Sequence, residues 1–411
     1  MTVPTLRLCV LWPRLGPYHL ARLRAANALF AVRGAKVIAV ETAGTDSTYA
    51  WREEVGEEPF RRVQVFPGAA ADALAPATVA AGITQVLDRL DPAVVAINSY
   101  AAPDALAALA WCRARRRAAV CMTDSTAGDA RRTAVREWVK GHIVREFDAA
   151  LVSGRRTVAY VGKLGIPAAR VFTPYDVVDN AFFAAAGPPR PDLPGLASGT
   201  PFFLASNRFV GRKNVSGLLM AYARFRASGG TWRLVLLGDG PERPTLDALV
   251  RTHAVPDVTF AGFQQIEALP AYYAAAAAFV HPALMDQWGL VINEAMAAGC
   301  PVVVSERAGA SADLIVDGET GFRFDPSDTE ALAGLLGRVS TMPEADRVAV
   351  GRRGQAYVGQ WTPEAFAAGL WDATAAALTV PARGLSPVAW ALMRAQRAAV
   401  RRADSFHAIR E

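Results

Sequence analysis

Arg208 and Lys213 stand five residues apart in Ser206-Asn207-Arg208-Phe209-Val210-Gly211-Arg212-Lys213-Asn214. Asp286 and Glu294 frame a second stretch, with Gly289, Leu290 and Val291 between them. Two cations in one loop can converge on a single pyrophosphate, the arginine through its planar fork and the lysine as a point charge. The chain has only four Lys against 40 Arg, which makes a lysine at that place notable. A helix opening at Gly289 offers backbone N–H groups and the positive end of its dipole, which also suit a diphosphate. Glu294 falls about one and a half turns into that helix, where a carboxylate can hydrogen-bond a ribose diol. Asp286, in the loop before it, can reach a sugar. Taken singly, each stretch also reads as a basic surface loop or a solvated, Ala-rich helix.

Such loops need strands to hold them. Residues 6–11, 35–40, 93–98, 118–122 and 149–153 read as buried strands. Helices are expected at 18–31, 71–90, 103–116 and about 130–146. The alternation restarts with strands at 202–206, 233–237, 258–261, 278–281 and 301–305. Helices are expected there at 214–228, 243–252, 267–276, 289–298 and 327–339. Strands alternating with helices imply an α/β chain with parallel sheets covered on both faces. The Pro- and Gly-rich segment at 187–199 cannot continue a helix or an inner strand, so it is placed as a linker. The expected layout is therefore two Rossmann-like doubly wound domains, 1–186 and 200–365, facing each other across a cleft. Residues 366–411 follow as C-terminal helices that can pack back on the first domain. Ligands are expected outside the strand C-termini.

The chain of 411 residues is 52% hydrophobic and 20% charged, with a formal charge of +6. That is globular composition, which excludes disordered and collagen-like classes. No apolar run reaches the ~18 to 20 residues of a spanning helix, and the N-terminus lacks the pattern of a secretory signal. The expectation is a cytoplasmic protein, or one peripheral at the inner face of the membrane. Cys9, Cys112, Cys121 and Cys300 have no ligand-like spacing, and neither a loop DxD nor a His/Cys cluster is present, so no metal and no cofactor are expected. Arg113–Arg117 and the Arg131, Arg132, Arg136 group read first as solvated faces and second as surfaces for anionic lipid. They lack interleaved aromatics, which argues against nucleic acid. The tail from 383 onward can form a basic amphipathic helix with Trp390, Leu392 and Met393 as its small apolar face.

Together, the Arg208/Lys213 pair, Gly238-Asp239-Gly240-Pro241-Glu242, Phe260-Ala261-Gly262-Phe263, Tyr272, His281-Pro282, Asp286-x7-Glu294 and Gly318-x-Thr320-Gly321 resemble the retaining glycosyltransferases of family 4, which have the two-domain GT-B arrangement. The resemblance is strong over about 200–335 and a matter of pattern elsewhere. It implies transfer of a sugar from a UDP- or GDP-sugar to an acceptor hydroxyl with retention, in glycan, glycolipid or glycosylated-metabolite synthesis, without a metal. It gives Arg208 and Lys213 the diphosphate, Asp286 the donor-sugar hydroxyls and Glu294 the ribose. The backbone at Gly289, Leu290 and Val291 cradles phosphate and ribose, and Gly262 and Phe263 border the nucleobase. A nucleotide-sugar epimerase, or a binding protein without transfer activity, is the alternative.

Three positions depart from that pattern. Asp286 stands where a glutamate is usual and is one methylene shorter. The N-terminal glycine-rich turn is reduced to Leu15-Gly16-Pro17-Tyr18-His19, where Gly16 still permits close backbone approach to phosphate and Pro17 supplies no N–H. Met122-Thr123-Asp124-Ser125 occupies the place of a mid-domain histidine. His19, Asn98 and Tyr100 follow or end strands at the expected crevice and are candidate substrate contacts. His281 reads as structural or donor-adjacent.

Overall fold

The computed structural model describes residues 5–45, 51–52, 56–130, 132–185 and 199–395. Apolar runs such as Leu8–Leu11 and Val94–Ile97 lack the alternation of a half-buried strand, and all eight residues are at most 1% exposed. They form the middle of a parallel sheet covered on both faces. Its strands are β1 (Leu6–Trp12), β2 (Ala35–Thr45), β3 (Arg61–Ala70), β4 (Val94–Asn98), β5 (Ala118–Thr123), β6 (Ala149–Val152) and β7 (Val171–Phe172), in the order β3-β2-β1-β4-β5-β6-β7. A second sheet holds β8 (Phe202–Ser206), β9 (Arg233–Leu237), β10 (Val258–Gly262), β11 (Ala278–His281), β12 (Val302–Ser305) and β13 (Phe322–Phe324), in the order β10-β9-β8-β11-β12-β13. Every strand pair in both sheets is parallel. The winding direction reverses between β1 and β4 and between β8 and β11. A crevice outside the strand C-termini opens at each reversal.

The chain forms two compact units, one from residues up to Val177 and from Pro363 onward, the other from Val178–Thr362. The second unit thus begins ahead of the proline-rich segment. The short helix Asn180–Ala184 packs in it, with Phe183 edge-on to Tyr273 at 6.0 Å. The expected linker at 187–199 lies outside the described residues apart from Gly199. The helix Pro363–Thr379 belongs to the first unit. Its Trp371 meets Phe30 of the helix Pro17–Val32 at 5.0 Å, and its Phe366 lies 6.5 Å from Trp12.

Most expected elements stand where periodicity placed them, with informative exceptions. The 71–90 helix is a 3-10 turn, Ala71–Ala73, followed by a helix over Pro76–Leu90, because Ala75 is extended and Pro76 starts the helix. β3 was not anticipated, since it carries Pro67-Gly68; it is an edge strand, where a missing donor is tolerated. β7 and β13, of two and three residues, are too short to show a period. The helices Arg155–Leu164 and Glu344–Val358 were also not anticipated, whereas Pro363–Thr379 lies where a C-terminal helix was expected. Among the described residues, no helix is long and apolar enough to cross a membrane.

Two charge readings change. The Arg113–Arg117 run is not one solvated face: Arg113 is 2% exposed and ion-paired with buried Asp148, while Arg115 pairs with Asp88 and Arg117 with Asp91. In the tail, residues 387–395 are helical, but Met393 is 2% exposed in the first unit's core while Trp390 is 51% exposed. Asp148 also accepts the Ala119 N–H at 2.8 Å. Removing it strands a buried guanidinium. Asp148→Ala is expected to lower unfolding free energy in urea by about 3–5 kcal/mol, the scale for breaking a buried pair.

Candidate active site

The β8/β11 reversal gathers two loops. The first, after β8, is shaped by its neighbour after β9. Asn207 N–H donates to Leu237 O at 3.0 Å, Phe209 N–H to Asp239 O at 2.8 Å and Glu242 N–H to Phe209 O at 3.1 Å. Gly238 has φ +116°, and a Cβ there would lie 1.9 Å from Asn207 O. Glycine at 238 is therefore what lets the Arg208 loop lie this close to the β9 turn. Gly238 N–H in turn donates to Gly262 O at 2.8 Å, joining the end of β10 to the same network. Phe263, next in the chain, is 37% exposed. Arg208 is half-buried in this loop. A 3-10 turn, Gly211–Lys213, then carries the chain into the helix Val215–Ala227.

The second loop follows β11. Asn214 ties it to the first, donating from Nδ2 to Pro282 O at 3.1 Å and to Pro326 O at 3.0 Å. Met285 N–H donates to Arg212 O at 3.3 Å, and Gly309 N–H donates to Asp286 O at 3.0 Å. With its backbone pinned on two sides, Asp286 presents its carboxylate inward. Lys213 Nζ lies 2.5 Å from Oδ2, and His281 Nε2 lies 2.9 Å from the same oxygen. Arg212 stands further off, 3.9 Å from Oδ1. Burial by itself would raise the Asp286 carboxyl, but the Lys213 charge and the His281 hydrogen bond outweigh it and hold the group well below the usual carboxylate range. Burial lowers His281, which is 0% exposed, although the hydrogen bond and charge of Asp286 partly oppose this.

Gly289 closes the loop at φ +98°, and the helix Leu290–Ala297 starts there. A Cβ on Gly289 would lie 3.2 Å from Asp286 Oδ2 and 3.4 Å from His281 Nε2. The helix mouth, with the Leu290 and Val291 N–H groups that a first turn leaves without intrahelical partners, therefore abuts the Lys213–Asp286–His281 cluster. Glu294 sits within the same helix, 1% exposed, and accepts the Tyr273 hydroxyl at 2.7 Å.

The structure thus brings together Lys213, Asp286, Gly289 and the Leu290/Val291 turn, and adds His281. Two further residues had not been singled out from sequence. Tyr273 binds Glu294, and its position one residue after Tyr272 gave no signal. Asn207 is 7% exposed with both side-chain polar atoms lacking hydrogen-bond partners among the described residues. A buried, unsatisfied amide at a strand end would have been the signal, but burial is not visible in a polar tripeptide such as Ser206-Asn207-Arg208.

The first unit assembles Gly16, His19 and Asn98 at the β1/β4 reversal. Glu41, fully buried, accepts the Leu15 N–H at 3.1 Å and fixes the turn after β1. Gly16 N–H donates to His19 Nδ1 at 3.0 Å, so in this structure that N–H is already engaged. Trp12 Nε1 and Asn98 Nδ2 both donate to Tyr175 Oη, at 2.8 and 2.7 Å. Tyr100, by contrast, is 4% exposed within the hydrophobic core. Asp124 offers its backbone carbonyl to Thr157.

Burial, reinforced by the Arg22 and Arg14 charges, lowers His19 to about 3. A histidine whose folded value is depressed stabilises the fold above its unfolded value near 6.5. That contribution is lost as pH falls from about 6.5 toward 3, because the unfolded chain takes up a proton that the folded one refuses. Asn at 19 keeps an acceptor for Gly16 and removes the titration. His19→Asn is expected to show a shallower loss of urea-midpoint stability than wild type across that window.

Against this geometry, comparison with known proteins gives a consistent picture. Residues 193–356 match the model of the family described as Glycosyl transferases group 1. The alpha-D-kanosaminyltransferase of Streptomyces kanamyceticus is 29% identical over 216 residues, 51% of this chain and 55% of that protein. The GDP-mannose-dependent alpha-(1-6)-phosphatidylinositol monomannoside mannosyltransferase of Mycobacterium tuberculosis is 34% identical over 182 residues, 42% of this chain and 46% of that protein. The chain spans about half the length of these two relatives. Among solved structures, sucrose-phosphate synthase from Thermosynechococcus elongatus superposes with a TM-score of 0.69 at 21% identity, over 89% of this chain and 97% of that one. Anabaena Alr3699/HepE in complex with UDP and glucose superposes at 0.67 and 17% identity, over 90% and 99%. The chain therefore has the two-sheet fold of GT-B glycosyltransferases, and its second unit carries the region that matches the Glycosyl transferases group 1 family.

Proposed function

We propose that the chain is a glycosyltransferase of the family 4 type, moving a sugar from a nucleoside-diphosphate donor to an acceptor hydroxyl with retention of configuration. The observation that carries the reading is the Lys213–Asp286 pair against the N-terminus of the helix Leu290–Ala297, at the β8/β11 reversal. In this reading the bond from the anomeric carbon to the β-phosphate oxygen breaks, and the acceptor oxygen bonds to that carbon on the same face. The acceptor proton passes to the departing phosphate. Lys213, Arg208 and the helix N-terminus stabilise the charge that develops on the leaving group, the role a metal plays elsewhere. Asp286 and Glu294 are assigned to donor hydroxyls, and Gly262 and Phe263 to the base. A UDP- or GDP-sugar is favoured because relatives carry those nucleotides in their names. The acceptor side is assigned to Gly16, His19 and Asn98 at the first unit's own reversal.

Peripheral contact with anionic lipid is part of the same proposal. Val135 and Trp138, three apart on the helix Ala134–Val144, are 71% and 54% exposed, and Arg136 beside them is exposed. Trp390 offers a second exposed ring. Co-sedimentation with phosphatidylglycerol vesicles is expected for wild type and reduced in Trp138→Ala/Trp390→Ala; equal binding by the two proteins removes this part.

The central test is nucleotide release from UDP-, GDP-, ADP- and dTDP-sugars without added metal. Release from one donor is expected. Lys213→Ala and Arg208→Ala are each expected to lose about 2–3 kcal/mol of transition-state stabilisation, the scale for one oxyanion donor. Wild-type turnover in either variant rejects that residue's role, and no nucleotide binding at all rejects the glycosyltransferase reading.

A further inference from the structure

We propose that His281 is a positioning residue of this site: by fixing the carboxylate of Asp286 it sets where the Lys213 ammonium stands. The inference rests on the donor-diphosphate reading above. His281 ends β11 and is 0% exposed, and its Nε2 lies 2.9 Å from the carboxylate oxygen that takes Lys213 at 2.5 Å. Its Nδ1 is buried with no hydrogen-bond partner among the described residues. An ionised carboxylate only accepts, so the ring proton sits on Nε2 and Nδ1 is a bare acceptor. Burying an imidazole with one nitrogen unsatisfied is unfavourable, and an apolar side chain at this strand end would avoid that cost.

What the ring supplies in return is control of a short acid. Asp286 lacks one methylene relative to glutamate, so its carboxylate stays back beside the end of β11, where the imidazole can hold it. Lys213 is the opposite case, a point charge on a flexible four-carbon stem that takes its position from its partners. The helix mouth at Gly289 leaves no slack, since even a Cβ there would crowd both Asp286 Oδ2 and His281 Nε2. When a diphosphate draws the ammonium away, the Nε2–H bond keeps the carboxylate in place.

The experiment measures UDP, GDP, ADP and dTDP binding by calorimetry, and donor release as kcat/KM, for wild type, His281→Leu, His281→Gln, His281→Asn, Asp286→Asn and Asp286→Asn/His281→Leu. Loss of Nε2–H in His281→Leu is expected to lower kcat/KM about 10- to 100-fold, the range for a hydrogen bond to a charged group. Gln, whose amide reaches the Nε2 position, restores most of it, and Asn, which reaches only as far as Nδ1, does not. If His281 acts through Asp286, adding His281→Leu to Asp286→Asn costs little more. Equal losses in both backgrounds, or wild-type activity in His281→Leu, overturn the assignment. Should His281→Leu fail to fold, equal activity of the Gln and Asn variants overturns it instead. Wild type that binds no nucleoside diphosphate overturns the donor reading and this inference together, whereas wild-type binding and turnover with additive losses overturn the role of His281 alone.

Discussion

A carboxylate whose side chain is 10% exposed has lost most of its water, and the second unit is organised around replacing it. Desolvation of an ionised acid costs several kcal/mol, and a cation repays that only if its distance and direction are held. Here the compensation comes from Lys213 on one loop and His281 at the end of a strand. Neither works unless the two loops keep register with each other. Asn214 and Arg212 bridge them through main-chain carbonyls, and Gly309 pins Asp286 from the β12 side.

The parallel sheet explains why these loops meet at all. β8 and β11 are neighbours in space although β9 and β10 lie between them in the chain, because the winding reverses there. Loops that follow them leave in opposite directions and open a crevice between them. The β9 turn, forced close by Gly238, then sets the course of the Arg208 loop. Three segments far apart in sequence are bound into one wall by backbone hydrogen bonds, with the Asn214 amide and the missing Cβ of Gly238 as the side-chain requirements.

The first unit repeats the arrangement at β1 and β4 with different chemistry. Its crevice residues are aromatic and neutral: Trp12, Tyr175 and Asn98 share hydrogen bonds, and His19 is kept uncharged by burial and two arginines. Arg22 and Arg113 pair with Asp176 and Asp148 in the first unit, as Lys213 does with Asp286 in the second.

Periodicity alone determined the layout of most strands and helices, because an inner strand of a parallel sheet must be apolar throughout and a covering helix must show a face. β8, β9 and β11 and the helix Arg243–Thr252 follow directly from that rule. The cation pair, the acid pair and the glycine between them were legible for a similar reason, since each is a local pattern. Burial and partnership were not local. Arg113 looked like its solvated neighbours until the fold set Asp148 beside it, and the burial of Tyr100 at a strand end had no sign in its neighbours. The pairings of Asp286 with Lys213 and with His281 span 73 and five residues of chain. Which oxygen a lysine finds at that separation depends on loop register and sheet order, which are tertiary properties with no counterpart in spacing.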